Sequence, residues 1–250
     1  MRAMAPEPRP ATSETLATYY EALLQHFGPQ HWWPARTRLE VVVGAILTQN
    51  TSWRNVEVAV ARLRTSGLLQ HRALLNAPLS RLESCIRPAG YYRQKARTLK
   101  AFASFFEDQF GGSFHQLFRL PMGECRARLL SIKGFGPETA DSVLLYAGKF
   151  PIFVVDAYTR RILSRHGLVP PDADYATTQA MVHRHLKPET NVYNEFHALL
   201  VETGKTYCRP QQPRCLSCPL KPFLPVPGPD LVAGSLASRP ASDLAAEEAE

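Results

Sequence analysis

The sequence is short of several things, and each shortage removes a class of protein. No apolar run approaches the length a bilayer-crossing helix needs, which argues against a helical membrane protein. The first residues, MRAMAPEPRPATSET, hold no apolar core of the kind a secretion signal carries, so a cytoplasmic protein is expected. Acid is in deficit: 22 Asp and Glu face 29 Lys and Arg, for a formal net charge of +7. Such a balance suits a polyanionic partner, and equally a merely basic enzyme. Cysteine is scarce, at five residues, and three of them crowd at Cys208, Cys215 and Cys218. In a reducing compartment a disulfide staple is a poor explanation of that cluster, and metal ligation a better one. Cys85 and Cys125 stand alone in helical segments and read as small buried hydrophobes. The histidines show no metal-like spacing beyond His183 and His185, which read as surface residues.

Strand-like pattern is also scarce, confined to Pro151–Val155. Everything else of substance has helical periodicity. Ser13 is placed to cap a helix whose Leu16, Tyr20, Leu23 and Phe27 share one face, stopped by Gly28-Pro29. Thr37 and Glu40 have capping-box spacing ahead of the stripe Leu39, Val42, Val43, Ile46 and Leu47. Ser80 and Glu83 repeat that spacing. Gly148, Gly167 and Gly204 each follow a helical run, as C-terminal caps do. Residues 1–11 are Pro-rich, and residues 225–250 are almost devoid of large apolar groups; both are predicted to be disordered. The expected fold is all-α, with no solenoid repeat.

The most informative stretch is Ile132-Lys133-Gly134-Phe135-Gly136-Pro137-Glu138-Thr139-Ala140. It joins a helical run at Gly123–Ser131 to another at Pro137–Ala147. Glycine permits a tight turn and lets backbone N–H groups approach an anion closely. Pro137 suits the first position of the second helix. That helix start offers unpaired N–H donors and a positive dipole end to a phosphate, and Lys133 adds a mobile charge. Alone, the same residues also describe an ordinary αα-hairpin. Further on, Val154-Val155-Asp156-Ala157-Tyr158-Thr159-Arg160-Arg161 sets one carboxylate between an apolar run and a basic helix.

Together these segments resemble the endonuclease III superfamily of helix-hairpin-helix base-excision glycosylases. The resemblance runs from about Leu39 to Pro219. It also includes Leu47-Thr48-Gln49-Asn50-Thr51 and Gly90-Tyr91-Tyr92-Arg93-Gln94-Lys95-Ala96, and ends at the cysteine cluster, in the family's order. The stretches Trp32-Trp33-Pro34, Gln49-Asn50-Thr51 and Arg87-Pro88-Ala89-Gly90-Tyr91-Tyr92 look closest to its 3-methyladenine glycosylase branch. The resemblance implies two helical lobes around a DNA cleft, a six-helix lobe of residues 35–150 with the hairpin and one of 12–34 plus 151–224 with the cysteine cluster. It further implies a nucleoid-associated monomer that binds double-stranded DNA holding a damaged base.

Such an enzyme flips a nucleotide out of the duplex and cleaves its N-glycosidic bond. By resemblance Gln49 would fill the vacated gap and Tyr91 would wedge from the other side. An amide can satisfy an orphaned base and a ring can stack. Asn50 and Lys95 are placed at the DNA with them, beside Lys133, Gly134 and Gly136 of the hairpin. Asp156 would stabilise positive charge developing on the sugar and orient water; it also suits an N-cap for a helix Ala157–Arg165. Glu138 is the main departure. Bifunctional members carry a lysine there, whose amine forms a Schiff base. Glutamate cannot, so water becomes the nucleophile; Glu138 either holds that water or is a first-turn acid favoured by the helix dipole. Alkylated purines leave easily and, being cationic, attract aromatic faces. Trp32, Trp33 and Trp53 are candidates for the base pocket, with core packing as the alternative for at least one of the first two.

Cys208, Cys215 and Cys218 match the first three ligands of the family's [4Fe–4S] loop. Leu224 stands where the fourth cysteine belongs. Water or another side chain completing the cluster, a three-iron or zinc form, and a vestigial site all stay open. Lys205, Arg209 and Arg214 would meet phosphates beside it. Two rivals to an alkylpurine glycosylase are a DNA-damage binder that has lost its chemistry and a glycosylase for oxidised or mispaired bases.

Overall fold

The computed structural model describes residues 12–225. The segments expected to be disordered, 1–11 and all but the first residue of 225–250, lie outside them. Among the described residues no strand forms, and Pro151–Val155 is extended without a partner strand. Twelve α-helices follow in order: α1 (Ser13–Phe27), α2 (Arg38–Leu47), α3 (Trp53–Thr65), α4 (His71–Asn76), α5 (Leu79–Ile86), α6 (Tyr92–Phe110), α7 (Phe114–Leu117), α8 (Met122–Leu130), α9 (Pro137–Ser142), α10 (Ala157–Arg165), α11 (Tyr175–His185) and α12 (Thr190–Thr206). No helix among the described residues is long and apolar enough to cross a membrane.

The chain divides into two compact units. One comprises residues 33–150 and the helices α2 to α9. Its α2 is buried along almost its whole length, with Val42, Val43, Ile46 and Leu47 fully out of water. Around it pack α3, α6, α9 and the π-helical turn Val143–Ala147 that continues α9. That π turn, which shifts hydrogen bonds to i→i+5, leaves the apolar pattern of Pro137–Ala147 unchanged. Sequence periodicity therefore does not register it. Burial of this many aliphatic side chains, each contributing about 1.5–3 kcal/mol, is what holds the unit together.

The other unit comprises residues 12–32 and 151–225. There α10 packs on α12, and α1 lies against α11 and α12, around Leu16, Tyr19, Leu23, Ile162, Leu163, Phe196 and Leu199.

The helix starts show what local spacing can and cannot read. Thr37 caps α2 as expected, its Oγ1 accepting from the Glu40 amide at 3.2 Å. For α1 the cap is Thr12, accepting from the Thr15 amide, and Ser13 is the first helical residue. For α5 the capping-box reading of Ser80 and Glu83 is wrong: the helix starts at Leu79 after Pro78, without a side-chain cap. Gly167, at φ 68°, follows α10 in the left-handed conformation a helix stop favours. Gly204 is not a stop. It lies inside α12, where the absent side chain makes room for the Tyr158 ring.

Candidate functional site

In the unit of residues 33–150 the hairpin forms between α8 and α9. Gly134 takes φ 94°, open to glycine alone, and a Cβ there would collide with the Thr98 hydroxyl of α6. Gly136 is the N-cap of α9, at φ −98°, with open space where a Cβ would stand. Pro137 and Glu138 occupy the first turn of α9, and Lys133 and Glu138 are exposed. Exposed backbone at a glycine turn, a helix start behind it and an exposed lysine are features with which a surface can hold an anion.

Gln49 belongs to the same assembly. Its side-chain NH2 donates to the Gly134 carbonyl at 3.2 Å and to Thr139 Oγ1 at 2.8 Å. The loop after α2 is thus pinned to the hairpin and to the start of α9. Asn50 is exposed and adopts φ 51°. Tyr91 does the same on the neighbouring loop: φ 41°, ψ 29°, with 56% of the residue exposed. Left-handed backbone at non-glycine residues costs about 1–3 kcal/mol each and persists where the surroundings impose it.

Lys95 departs from its expected place. It is 2% exposed, and its ammonium donates to the carbonyls of Leu47 at 3.0 Å and Ala89 at 2.6 Å. It therefore presents no charge to a phosphate, and the expectation of direct DNA contact is corrected. Burial pushes its pKa down to about 8.

Trp33 and Trp53 meet edge to face at 5.1 Å, and Trp33 lies 4.9 Å from the Tyr146 ring. Gly44 makes this possible, since a Cβ there would come within 2.9 Å of the Trp33 indole. Both tryptophans remain half-exposed. Trp32, half-buried, falls in the other unit.

In that unit Asp156 is the N-cap of α10, its Oδ1 accepting from the Thr159 amide at 2.7 Å. Its Oδ2 lies 3.5 Å from Nε2 of His197 on α12, and the two side chains are 14% and 7% exposed. Burial alone would raise the carboxyl pKa. The facing imidazole and the Thr159 bonds outweigh it and hold the carboxyl below its ordinary range. The group is thus ionised at neutral pH in a low-dielectric setting, where its field is strong.

The same α10 carries the cysteine loop. Arg161 Nε donates to the Cys208 carbonyl at 2.7 Å. Arg165 bonds the carbonyls of Arg209 and Pro210 at 2.6 and 2.9 Å and reaches Cys208 Sγ at 3.4 Å. Cys208, Cys215, Cys218, His166 and Leu224 all line one recess. Burial raises the thiol of Cys215, and raises that of Cys218 to about 11, and the neighbouring cysteines add to both shifts. The Arg165 guanidinium pulls the Cys215 thiol the other way. Among the described residues no three His, Cys, Asp or Glu side chains are gathered as a single metal ion requires.

Comparison with known proteins fits this geometry. Residues 43–188 match the family model described as HhH-GPD superfamily base excision DNA repair protein. The chain belongs to that superfamily, in its endonuclease III branch. The Methanocaldococcus jannaschii protein named "Putative DNA repair glycosylase MJ1434" is 44% identical over 84% of this chain and 96% of its own length. Among solved structures, a trapped endonuclease III–DNA covalent intermediate superposes with a TM-score of 0.74 at 23% identity, over 85% of this chain and 95% of that one. The Helicobacter pylori 3-methyladenine DNA glycosylase bound to 1,N6-ethenoadenine gives 0.67 at 26% identity, over 77% and 96%.

The protein is accordingly a base-excision DNA glycosylase. Three features of this glycosylase escaped its sequence. His197 sits in the apolar stretch Phe196-His197-Ala198-Leu199-Leu200, where a histidine reads as core filler. Thr98 and Thr139 are ordinary helix residues until the fold brings them to Gly134 and Gln49. The pair of partly exposed Arg126 and buried Asp141, with Arg126 Nε 2.6 Å from Asp141 Oδ1, ties α8 to α9 and has no local signature.

Proposed function

We propose that this glycosylase is monofunctional, hydrolysing the N-glycosidic bond of an alkylated purine in duplex DNA and leaving the abasic strand uncut. The observation that carries this reading is Glu138, exposed in the first turn of α9 directly after Pro137. The family resemblance puts the Schiff-base lysine of bifunctional members at that position. A carboxylate cannot form an imine. The lowered pKa of Lys95 is in the direction that makes an amine nucleophilic, but burial and two carbonyl partners withhold it from a substrate.

Water is then the nucleophile. Asp156, ionised and held in place as the N-cap of α10, stabilises the oxocarbenium-like sugar and orients that water. Glu138, in the first turn of α9, is a second carboxylate able to hold water, in a position where the helix dipole also favours an acid. Gln49 and Tyr91 enter the duplex as the nucleotide leaves it, while Lys133, Gly134 and Gly136 hold the phosphates. Without acid catalysis from a dedicated residue, the leaving group must already be good. N3-methyladenine and related purines are cationic while still attached to the sugar. The partly exposed Trp33 and Trp53 offer electron-rich faces to such a base, and Trp32, in the other unit, carries another such face.

Cys208, Cys215 and Cys218 would hold an iron–sulfur cluster of the [4Fe–4S] type through three thiolates, the fourth position being Leu224. Thiolates are the donor type such a cluster takes, although the three side chains are not gathered as metal ligands and a fourth cysteine is lacking. Such a cluster would cross-link the chain just after α12, at Cys208, to the turn Cys215–Ser217, bracing the loop that carries Arg209 and Arg214. The protein acts as a monomer on double-stranded DNA, in the cytoplasm and at the nucleoid.

Chromatography of bases released from methylated and from oxidised duplexes tests this reading. Free methylated purine is expected in the first case and little free base in the second. Preferential release of oxidised pyrimidines would replace the substrate proposed here.

A further inference from the structure

Lys95 is a buried ammonium that bonds, among the described residues, two backbone carbonyls and no carboxylate. Charge in such a place is expensive and persists only where it satisfies something specific. Leu47 is the last residue of α2, so its carbonyl is among the four a helix leaves unpaired. Ala89 ends the 3-10 turn Arg87–Ala89. The strained residue Asn50 follows Leu47 by three positions, and Gly90 and Tyr91, at φ 65° and 41°, directly follow Ala89. The two loops that hold Gln49 and Tyr91 therefore meet on one cation. One turn further along α6, Thr98 packs under Gly134, which accepts from Gln49.

We propose that Lys95 is a positioning residue that locks these two loops into one register, so that Gln49 and Tyr91 enter the duplex together. The proposal rests on the reading of Gln49 and Tyr91 as the residues that replace a flipped nucleotide. An apolar side chain of equal length would leave two buried carbonyls without donors, freeing each loop to relax its left-handed residue. Arginine keeps the charge and the donors, with a planar head of different reach.

Lys95→Met and Lys95→Arg in the full chain test this with three measurements: hydrogen exchange of peptides covering 47–52, 88–92 and 132–140, fluorescence of 2-aminopurine beside an abasic-site analogue, and affinity for undamaged duplex. In Lys95→Met, exchange at both loops is expected to rise about tenfold or more while the hairpin peptide stays protected. The 2-aminopurine signal should fall, with undamaged-duplex affinity kept within about twofold because the phosphate contacts are elsewhere. Lys95→Arg should recover part of the signal. Unchanged exchange at either loop, a rise spread evenly through residues 33–150, or no recovery in Lys95→Arg would overturn the proposal. Gln49→Ala and Tyr91→Ala separate the two ideas. If both flip normally while the exchange pattern holds, the insertion roles fail and the locking of the loops stands. Should Lys95→Met not fold, NMR of the wild-type protein decides: couplings from 15Nζ of Lys95 to the Leu47 and Ala89 carbonyls are expected, and their absence refutes the lock.

Discussion

The two oxygens of Asp156 have different neighbours, and this makes a clean variant available. Oδ1 caps α10 through the Thr159 amide, while Oδ2 faces His197. Asparagine caps a helix about as well as aspartate, so Asp156→Asn keeps the cap and removes only the charge. Its melting temperature should fall only modestly, through the lost attraction to His197, and its duplex affinity should hold. Base release, followed under single-turnover conditions, should fall by about 100-fold or more. Full activity would remove the proposed chemistry. The pH dependence follows from the direction of the shift. A carboxyl held below its ordinary range contributes stability above its unfolded value, and loses it only as pH falls through the lower, folded one. Base release, corrected for spontaneous depurination, should therefore be flat down to the ordinary carboxylate range and fail below it. In His197→Gln the upward push of burial loses its main opponent, so the acid limb should move toward neutrality. An unmoved limb would show that His197 does not set the ionisation of Asp156.

The hairpin carries two glycines whose substitution should fail in different ways. Gly134 needs its positive φ and has Thr98 beneath it, so Gly134→Val should cost stability, by about 1–3 kcal/mol, visible in thermal melting. Gly136 has ordinary φ and open space around it. Gly136→Val should melt like the wild type yet bind duplexes of any sequence more weakly, because the bulk stands where a phosphate approaches. Equal affinity across a salt titration would detach the hairpin from DNA binding. The hairpin itself was legible in the sequence, since Gly-x-Gly before Pro137 is a local pattern with a local cause. What lies under it was not. Thr98 meets Gly134, Gln49 meets Thr139 and Arg126 meets Asp141 only through tertiary packing, and Lys95, read as a DNA contact, is turned inward by the carbonyls of Leu47 and Ala89. The same limit explains the missed helix starts. Spacing suggests a cap at Ser80, but Pro78 and the packing of Leu82 and Ile86 decide where α5 begins.

At the scale of the whole molecule, the all-helical class, the Asp156 cap and the three-cysteine loop could all be read from pattern. His197 could not, because a histidine in an apolar helix is uninformative until its partner is known. The cysteine loop leads to one chemical test. Protein prepared without oxygen should be brown and contain iron and sulfide, and Cys215→Ala should lose both; metal-free, folded, colourless protein would make the loop a relic. The reaction outcome leads to the other. Strand cleavage by this family's bifunctional members needs an amine that attacks the sugar and stays attached as an imine, which borohydride reduces to a permanent protein–DNA link. Here the position that would supply it is Glu138, and the buried amine of Lys95 is committed to Leu47 and Ala89. Incubation with a damaged duplex and borohydride should give free base, an intact abasic strand that breaks only on adding alkali, and no cross-linked species on a denaturing gel. Glu138→Lys puts an amine in the first turn of α9, so a trace of cross-link should emerge in that variant, limited by how Pro137 aims the new side chain. Efficient trapping by the unmodified protein would mean that some other amine reaches the sugar, and hydrolysis by water alone would no longer describe the reaction.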